Sequence, residues 1–365
     1  MNKRVTLGIV SLAVVALVVA ALPGIAMAQP APELASELYV YNWGDYIDPT
    51  LITEYEDTYG VRIIYDNYAS NEELFAVMQT GAVYDVIFPT DYMIARMITL
   101  EMLAPLNHDN LPNLRHIDPF TLDTWFDPGG VYCVPYHWGT TGIAYQTRLE
   151  RVPDSWGALF DPEQAAYYAD QGGINLLDDQ RELIGAALLY LGYSLNDTDP
   201  DHLAEARDTI IDVLPYVRFI NSSDYQDTLL IPGEVVISHS WDGSTVKAAI
   251  ETESEEAPQG LWVHVVPREG APRFQDGMCV PANSTRQATA EHFINFLMEP
   301  ERAARTANAI GYLTANLSAR AFLRPEILAL FPSDDVLERL EWIRPLDEAG
   351  MLLWDQTWTE IRVSQ

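Results

Sequence analysis

The sequence predicts a two-lobed α/β protein, on three observations. From Leu38 onward, short apolar runs alternate with helical patterns in a β-α-β-α-β order, which implies a parallel sheet covered by helices. The same alternation returns in the second half of the chain and marks a second α/β unit. Nothing between them reads as a Pro- or Ser-rich linker, and no internal repeat occurs, so the lobes are expected to share close crossover strands.

The elements follow in order. Leu38 to Tyr41 reads as a strand, and Asp48-Pro49 pairs an N-cap with a first-turn proline to open a helix to about Tyr59. Val61 to Tyr65 is a second strand. Ser70 begins a helix through about Thr80, and Tyr84 to Phe88 is a third strand closed by Pro89. Asp91 can cap a helix from Tyr92 to Leu100. Val131 to Tyr136 and Gly142 to Tyr145 are strands at the passage between lobes. Beyond them come a strand at Ile174 to Leu177, helices from about Asp179 to Leu191 and Pro200 to Leu214, and strands near Val217 to Ile220 and Glu234 to Ser238. Helices at Thr285 to Glu299 and Pro300 to Ile310 complete the series.

Charge narrows the function. The 365 residues carry 53 Asp+Glu against 21 Lys+Arg, a formal charge of −32. A phosphate backbone is held mainly by Lys and Arg, so nucleic acid is excluded as a partner and a cation is favoured. A solvated, repulsive surface accounts for most of the acidity. At 48% hydrophobic and 11% aromatic the chain is globular.

Residues 1–28 read as a secretory signal peptide, with Lys3 and Arg4 before the apolar run Val5 to Leu22 and the small residues of Ala26-Met27-Ala28 at the cleavage point. The same run is near spanning length, so retention as an N-terminal anchor is the alternative. Cleavage before Gln29 would take the charge from −32 to −34 by removing two bases, and would leave Lys247 as the one lysine. In an extracytoplasmic compartment the two cysteines, Cys133 and Cys279, could form one disulfide.

Catalytic motifs are missing. The sequence has no G-x-G-x-x-G and no Gly-Lys pair, which excludes the P-loop. His239-Ser240-Trp241-Asp242-Gly243 lacks one flanking glycine on each side of what a nucleophile elbow needs. The seven histidines are scattered without H-E-x-x-H. Asp197-x-Asp199-x-Asp201 begins like a calcium loop, but His202 stands where that loop needs Gly; a capped loop before the Pro200 helix is the better account. Neither a metal nor a cofactor is implied. Asp179 and Glu182, three apart, could form an acid/base pair on one helical face.

What does carry information is the placement of aromatics and acids. In open α/β sheets ligands lie beyond the carboxyl ends of strands. Trp43 and Tyr46, then Thr90, Asp91 and Tyr92, then Asp179 and Glu182, then Trp241 and Asp242 follow four such ends. Aromatic faces attract cations by ~0.5 to 2 kcal/mol each, and charge-assisted hydrogen bonds contribute ~1.5 to 3. The cleft suits an organic polycation. An anion site would want Arg at these strand ends, and none is expected there.

Five blocks then carry a resemblance: Leu38-Tyr39-Val40-Tyr41-Asn42-Trp43, Tyr84-Asp85-Val86, Val134-Pro135-Tyr136-His137-Trp138-Gly139-Thr140-Thr141, Leu177-Asp178-Asp179-Gln180-Arg181-Glu182 and Ala309-Ile310-Gly311-Tyr312. Across nearly the whole mature chain the sequence resembles the periplasmic spermidine/putrescine-binding proteins of bacterial polyamine ABC importers. The resemblance implies a type II-like periplasmic binding protein, each lobe a mixed sheet flanked by helices, with the ligand cleft between the lobes. It places residues 37–141 with 275–318 in one lobe and 142–274 with 319–365 in the other.

It also implies the pocket: Trp43, Tyr46, Thr90, Tyr92, Asp179, Glu182, Trp241, Asp276 and Tyr312, with Asp242 a further candidate acid. Carboxylates would take the amines and rings would stack along the methylenes. Phe274 stands where the spermidine binders among these proteins resemble one another in having Trp, and Ile343 about where a side-chain amide is expected, which leaves chain-length selectivity open. The fold of the family puts Cys133 and Cys279 in neighbouring strands of one lobe, either bonded or as buried thiols. The implied activity is that of a monomeric, non-enzymatic receptor delivering a polyamine to membrane permease subunits. The alternatives are a secreted hydrolase using Asp179 and Glu182 or Asp276, or a binder of another small solute.

Overall fold

The computed structural model describes residues 33–365; the signal peptide expected at residues 1–28 lies outside them. Eleven strands form one continuous sheet: β1 (Glu37–Trp43), β2 (Arg62–Tyr68), β3 (Val86–Ile87), β4 (Cys133–Gln146), β5 (Ile174–Leu176), β6 (Val217–Ile220), β7 (Ile237–Trp241), β8 (Trp262–Val265), β9 (Ala271–Cys279), β10 (Leu313–Thr314) and β11 (Leu340–Trp342). The order is β2-β1-β3-β9-β4-β7-β5-β6, with β8 and β10 on β4 and β11 on β9.

The parallel sheet expected from the β-α-β alternation is divided into two three-stranded pieces. β1 runs parallel to β2 and β3, and β5 runs parallel to β6 and β7. Between them β9 and β4 pair antiparallel with each other and with β3 and β7, while β11 runs parallel to β9, making the whole sheet mixed. The two strands expected at Val131 to Tyr136 and Gly142 to Tyr145 are one strand, β4. Its polar middle, Trp138 to Thr141, finds hydrogen-bond partners on β9 and then β7, so no break is needed. β7 starts three residues later than expected and reaches Trp241, because its register on β4 runs from Tyr145↔Ile237 to Thr141↔Trp241.

Helix starts obey local chemistry. Asp48, Asp118, Asp161 and Asp199 each precede a proline and each accept a backbone N–H of the first turn, joining a cap to a residue that has no N–H to leave unsatisfied. Asp199 therefore serves as the helix cap expected before Pro200. Before the helix Asp91–Thr99 the cap position is Thr90, not Asp91, whose buried carboxylate accepts from Tyr92 N (2.6 Å) and Gln275 N (3.0 Å).

The fold is two-lobed because the sheet serves two cores. One gathers Leu38, Val40, Tyr55, Phe88 and Phe293; the other gathers Trp156, Leu159, Ile174, Leu183, Ile210 and Trp354. β4 contributes Val134 to the first and Ile143 to the second, and β9 contributes Met278 and Ala271 in the same way. These two strands carry the chain between the lobes. No helix among the described residues is long and apolar enough to cross a membrane.

A disulfide joins Cys133 to Cys279 across the β4–β9 pair, in register, 146 residues apart in sequence. Closing so long a loop restricts the unfolded chain by about 4 to 5 kcal/mol on the chain-entropy account. Urea unfolding with and without reductant should therefore show the oxidised protein more stable by roughly 2 to 5 kcal/mol. Two titratable thiols in denatured, non-reduced protein would contradict the bond.

Candidate functional site

Beyond the strand ends a cavity of about 510 Å³ opens between the lobes. Ten of the residues anticipated there line it: Trp43, Tyr46, Thr90, Tyr92, Asp179, Glu182, Trp241, Phe274, Asp276 and Tyr312. Ile343 lines it too. Asp242 does not. Its carboxylate is buried behind the wall, accepting from Thr140 N (2.8 Å), Gly243 N (2.7 Å) and Thr140 Oγ1 (3.2 Å). A helix-opening acid with backbone amides in reach turns to them rather than to the cleft. A Cβ at position 139 would strike both that carboxylate and the Phe274 ring, so glycine is needed where β4 passes.

Asp276 sits on β9, buried, and is gripped from the first lobe. Tyr46 Oη donates to its Oδ2 at 2.5 Å and Thr90 Oγ1 to its Oδ1 at 2.7 Å. Burial raises its pKa from the ordinary 3.8 to about 6, although both hydroxyl donors act to lower it. Glu182 is met by three elements: it stands in the first turn of the helix Gln180–Leu191, while Thr141 of β4 and Trp241 of β7 donate to its Oε1, each at 3.0 Å. Its Oε2 is buried without a partner. Asp179 caps that helix, accepting from Arg181 N (2.9 Å) and Glu182 N (3.1 Å). Desolvation pushes both acids up, and each helps raise the other or is raised by a further carboxylate: Asp179 acts on Glu182, and Glu72 on Asp179. Capping leaves Asp179 poorly suited to a free acid/base role.

The aromatic walls are tied to the same strand ends. Trp43 Nε1 (2.8 Å) and Tyr68 Oη (2.6 Å) both donate to the carbonyl of Phe88. Tyr46 meets Tyr312 edge-on at 5.4 Å, and Phe274 meets Tyr312 at 6.0 Å. Tyr92 Oη accepts from Asn71 Nδ2 and donates to Glu72 Oε1, both at 3.1 Å.

The sequence reading passed over Tyr68, Glu72, Arg181 and Lys247, all of which line the cavity. Tyr68 was within reach, since β2 runs three residues past the Tyr65 expected as its end and its last residue faces the cleft. Arg181 corrects the expectation of no arginine at the strand ends. Its guanidinium, however, donates to Arg344 O (3.0 Å) and Asn196 Oδ1 (2.9 Å) and lies 4.5 Å over Trp354, so it is committed to the second lobe.

Comparison with known proteins agrees with this geometry. The family described as bacterial extracellular solute-binding protein matches residues 50–329. The chain belongs to that family. It is 34% identical over 338 residues to the putrescine/cadaverine-binding protein of Pseudomonas aeruginosa, covering 90% of this chain and 94% of that one. To the spermidine/putrescine-binding periplasmic protein of Escherichia coli it is 32% identical over 322 residues, covering 86% and 88%. The solved structure of the spermidine/putrescine ABC transporter substrate-binding protein PotD from Streptococcus pneumoniae superposes with a TM-score of 0.75 at 32% identity, covering 90% of this chain and 99% of that one.

The raised Asp276 has a consequence for stability. Between about pH 3.8 and 6 the folded protein holds a proton that the unfolded chain releases, so stability falls as pH rises through that window. Asp276→Asn removes this term. In urea unfolding of ligand-free protein, the variant should gain on the wild type by about 2 to 3 kcal/mol between pH 4 and pH 7. Parallel pH profiles would show that Asp276 titrates normally.

Proposed function

We propose that this solute-binding protein captures a polyamine, spermidine or putrescine, outside the cytoplasm and delivers it to the permease subunits of an ABC importer. The observation that carries the reading is the environment of Asp179, Glu182 and Asp276. Their hydrogen-bond partners are backbone amides, hydroxyls and an indole N–H, none of which cancels a negative charge. Three acids so placed between aromatic walls call for an organic polycation. The names of the two curated relatives support the same class of ligand.

On this reading the site residues are Trp43, Tyr46, Thr90, Tyr92, Asp179, Glu182, Trp241, Phe274, Asp276 and Tyr312. Without a ligand the carboxylates repel and keep the lobes apart; a bound polyamine neutralises them and the lobes close by a hinge in the crossover strands. The lobes that close are residues 37–141 with 275–318 and 142–274 with 319–365. The protein acts as a monomer after export through its leader and performs no catalysis. A hydrolase would need a free nucleophile or a placed water, whereas Asp179 is a helix cap and both Asp276 oxygens accept hydroxyls.

Calorimetric titration with putrescine, cadaverine, spermidine and spermine tests the reading directly; no heat from any of them would refute it. Asp276→Asn should weaken binding by roughly 2 to 5 kcal/mol, because a buried ammonium loses its charged partner. Substituting Asp197, whose carboxylate is engaged with His202 at 2.8 Å and which does not line the cavity, should change binding negligibly.

Chain length follows from counting charges. A triamine has a central ammonium that needs its own acceptor, and the three acids of the cleft, Glu182 and Asp276 buried and Asp179 half-buried, supply one for each nitrogen. An unmatched buried carboxylate costs more than the neutral hydrogen bond forgone at Phe274 or Ile343, which is worth ~0.5 to 1.5 kcal/mol. Spermidine should therefore bind at least as tightly as putrescine. Displacement of spermidine by putrescine at about tenfold lower concentration would reverse that order.

A further inference from the structure

Among the residues lining the cavity are eight carboxylates, and only two side chains of opposite charge, Arg181 and Lys247. Arg181 is tied back into the second lobe by its partners. Lys247 is different. It lies on the helix Asp242–Glu251, and its Nζ is 3.0 Å from Asp227 and 3.9 Å from Asp45. Asp45 belongs to the turn after β1, so the ammonium bridges side chains from opposite ends of the sheet. Asp45 precedes Tyr46, whose hydroxyl holds Asp276, and the Lys247 backbone packs beside Gly311, next to Tyr312. The positive charge thus stands on the Asp276 side of the cavity. This is the chain's one lysine outside the leader.

As a latch the bridge is weak: Asp45 is 73% exposed, and a pair in contact with water contributes little. As a fixed charge in the wall of a confined cleft it acts differently. A tethered ammonium occupies an acceptor that a ligand nitrogen could otherwise use, and it repels any ligand nitrogen that extends towards it. Resting on the polyamine reading above, we infer that Lys247 is a specificity-determining residue, a built-in cation that disfavours ligands long enough to bring a further ammonium to the Asp45 end of the cavity. Short polyamines, whose nitrogens are satisfied by Asp179, Glu182 and Asp276, are little affected.

The test compares Lys247→Met, which keeps the stem and removes the charge, with Lys247→Arg, which keeps the charge. Arg268→Gln makes the same change in net charge at an exposed residue that does not line the cavity. Each is titrated calorimetrically with putrescine, spermidine and spermine. Lys247→Met should raise the ratio of spermine to putrescine affinity by about tenfold or more, with Lys247→Arg and Arg268→Gln within about threefold of wild type. If Lys247→Met does not fold, Lys247→Gln makes the same comparison. An unchanged ratio in the neutral variant, or an equal rise in Arg268→Gln, overturns the inference while leaving polyamine binding intact. A wild-type protein that binds none of the three amines overturns the functional reading, and the inference with it.

Discussion

Burying a carboxylate without a basic partner raises the free energy of the folded protein, and the cleft holds two such acids, Glu182 and Asp276, with Asp179 half-buried beside them. Asp276 shows how the scaffold sustains this. It lies on β9, a crossover strand, and its two donors come from the ends of β1 and β3, so both oxygens are met by groups already held by the parallel part of the sheet. Glu182 has the matching arrangement in the other lobe, with donors from β4 and β7 converging on a helix start. In each case the hydroxyl or indole orients the acid but leaves its charge uncompensated. The remaining deficit is what a cationic solute can remove.

Such a site needs support elsewhere. The two apolar cores flank the crossover pair, and the disulfide fastens β4 to β9 three residues from Asp276. The strands that pass between the lobes are therefore also the ones that carry cleft residues. Any relative movement of the lobes alters the distance between the acid held by Tyr46 and Thr90 and the acids at the start of the helix Gln180–Leu191.

Much of this was legible along the chain because it depends on local rules. Asp-Pro pairs announce helix starts whose caps need only the next few amides. Strand ends announce where Trp43, Tyr46, Asp179 and Trp241 can face a ligand, since side chains at or just beyond the last ladder residue are the least covered by neighbouring strands. Boundaries were less legible. β4 looked like two strands because its polar middle gains partners only when β7 and β9 lie beside it.

By itself the sequence determined the class of fold, the acidic and aromatic character of the cleft and, by resemblance, the family. Tertiary structure decided which acids count. Asp242 and Asp276 look equivalent as isolated aspartates, yet one turns inward to the amides of Thr140 and Gly243 while the other is presented to the cavity by two hydroxyls. Arg181 and Lys247 likewise carry no site role in the sequence, and it is the fold that places both on the cavity wall. A carboxylate's role depends on whether donors or open space lie within about 3 Å, and residues more than a hundred positions away in sequence set that distance.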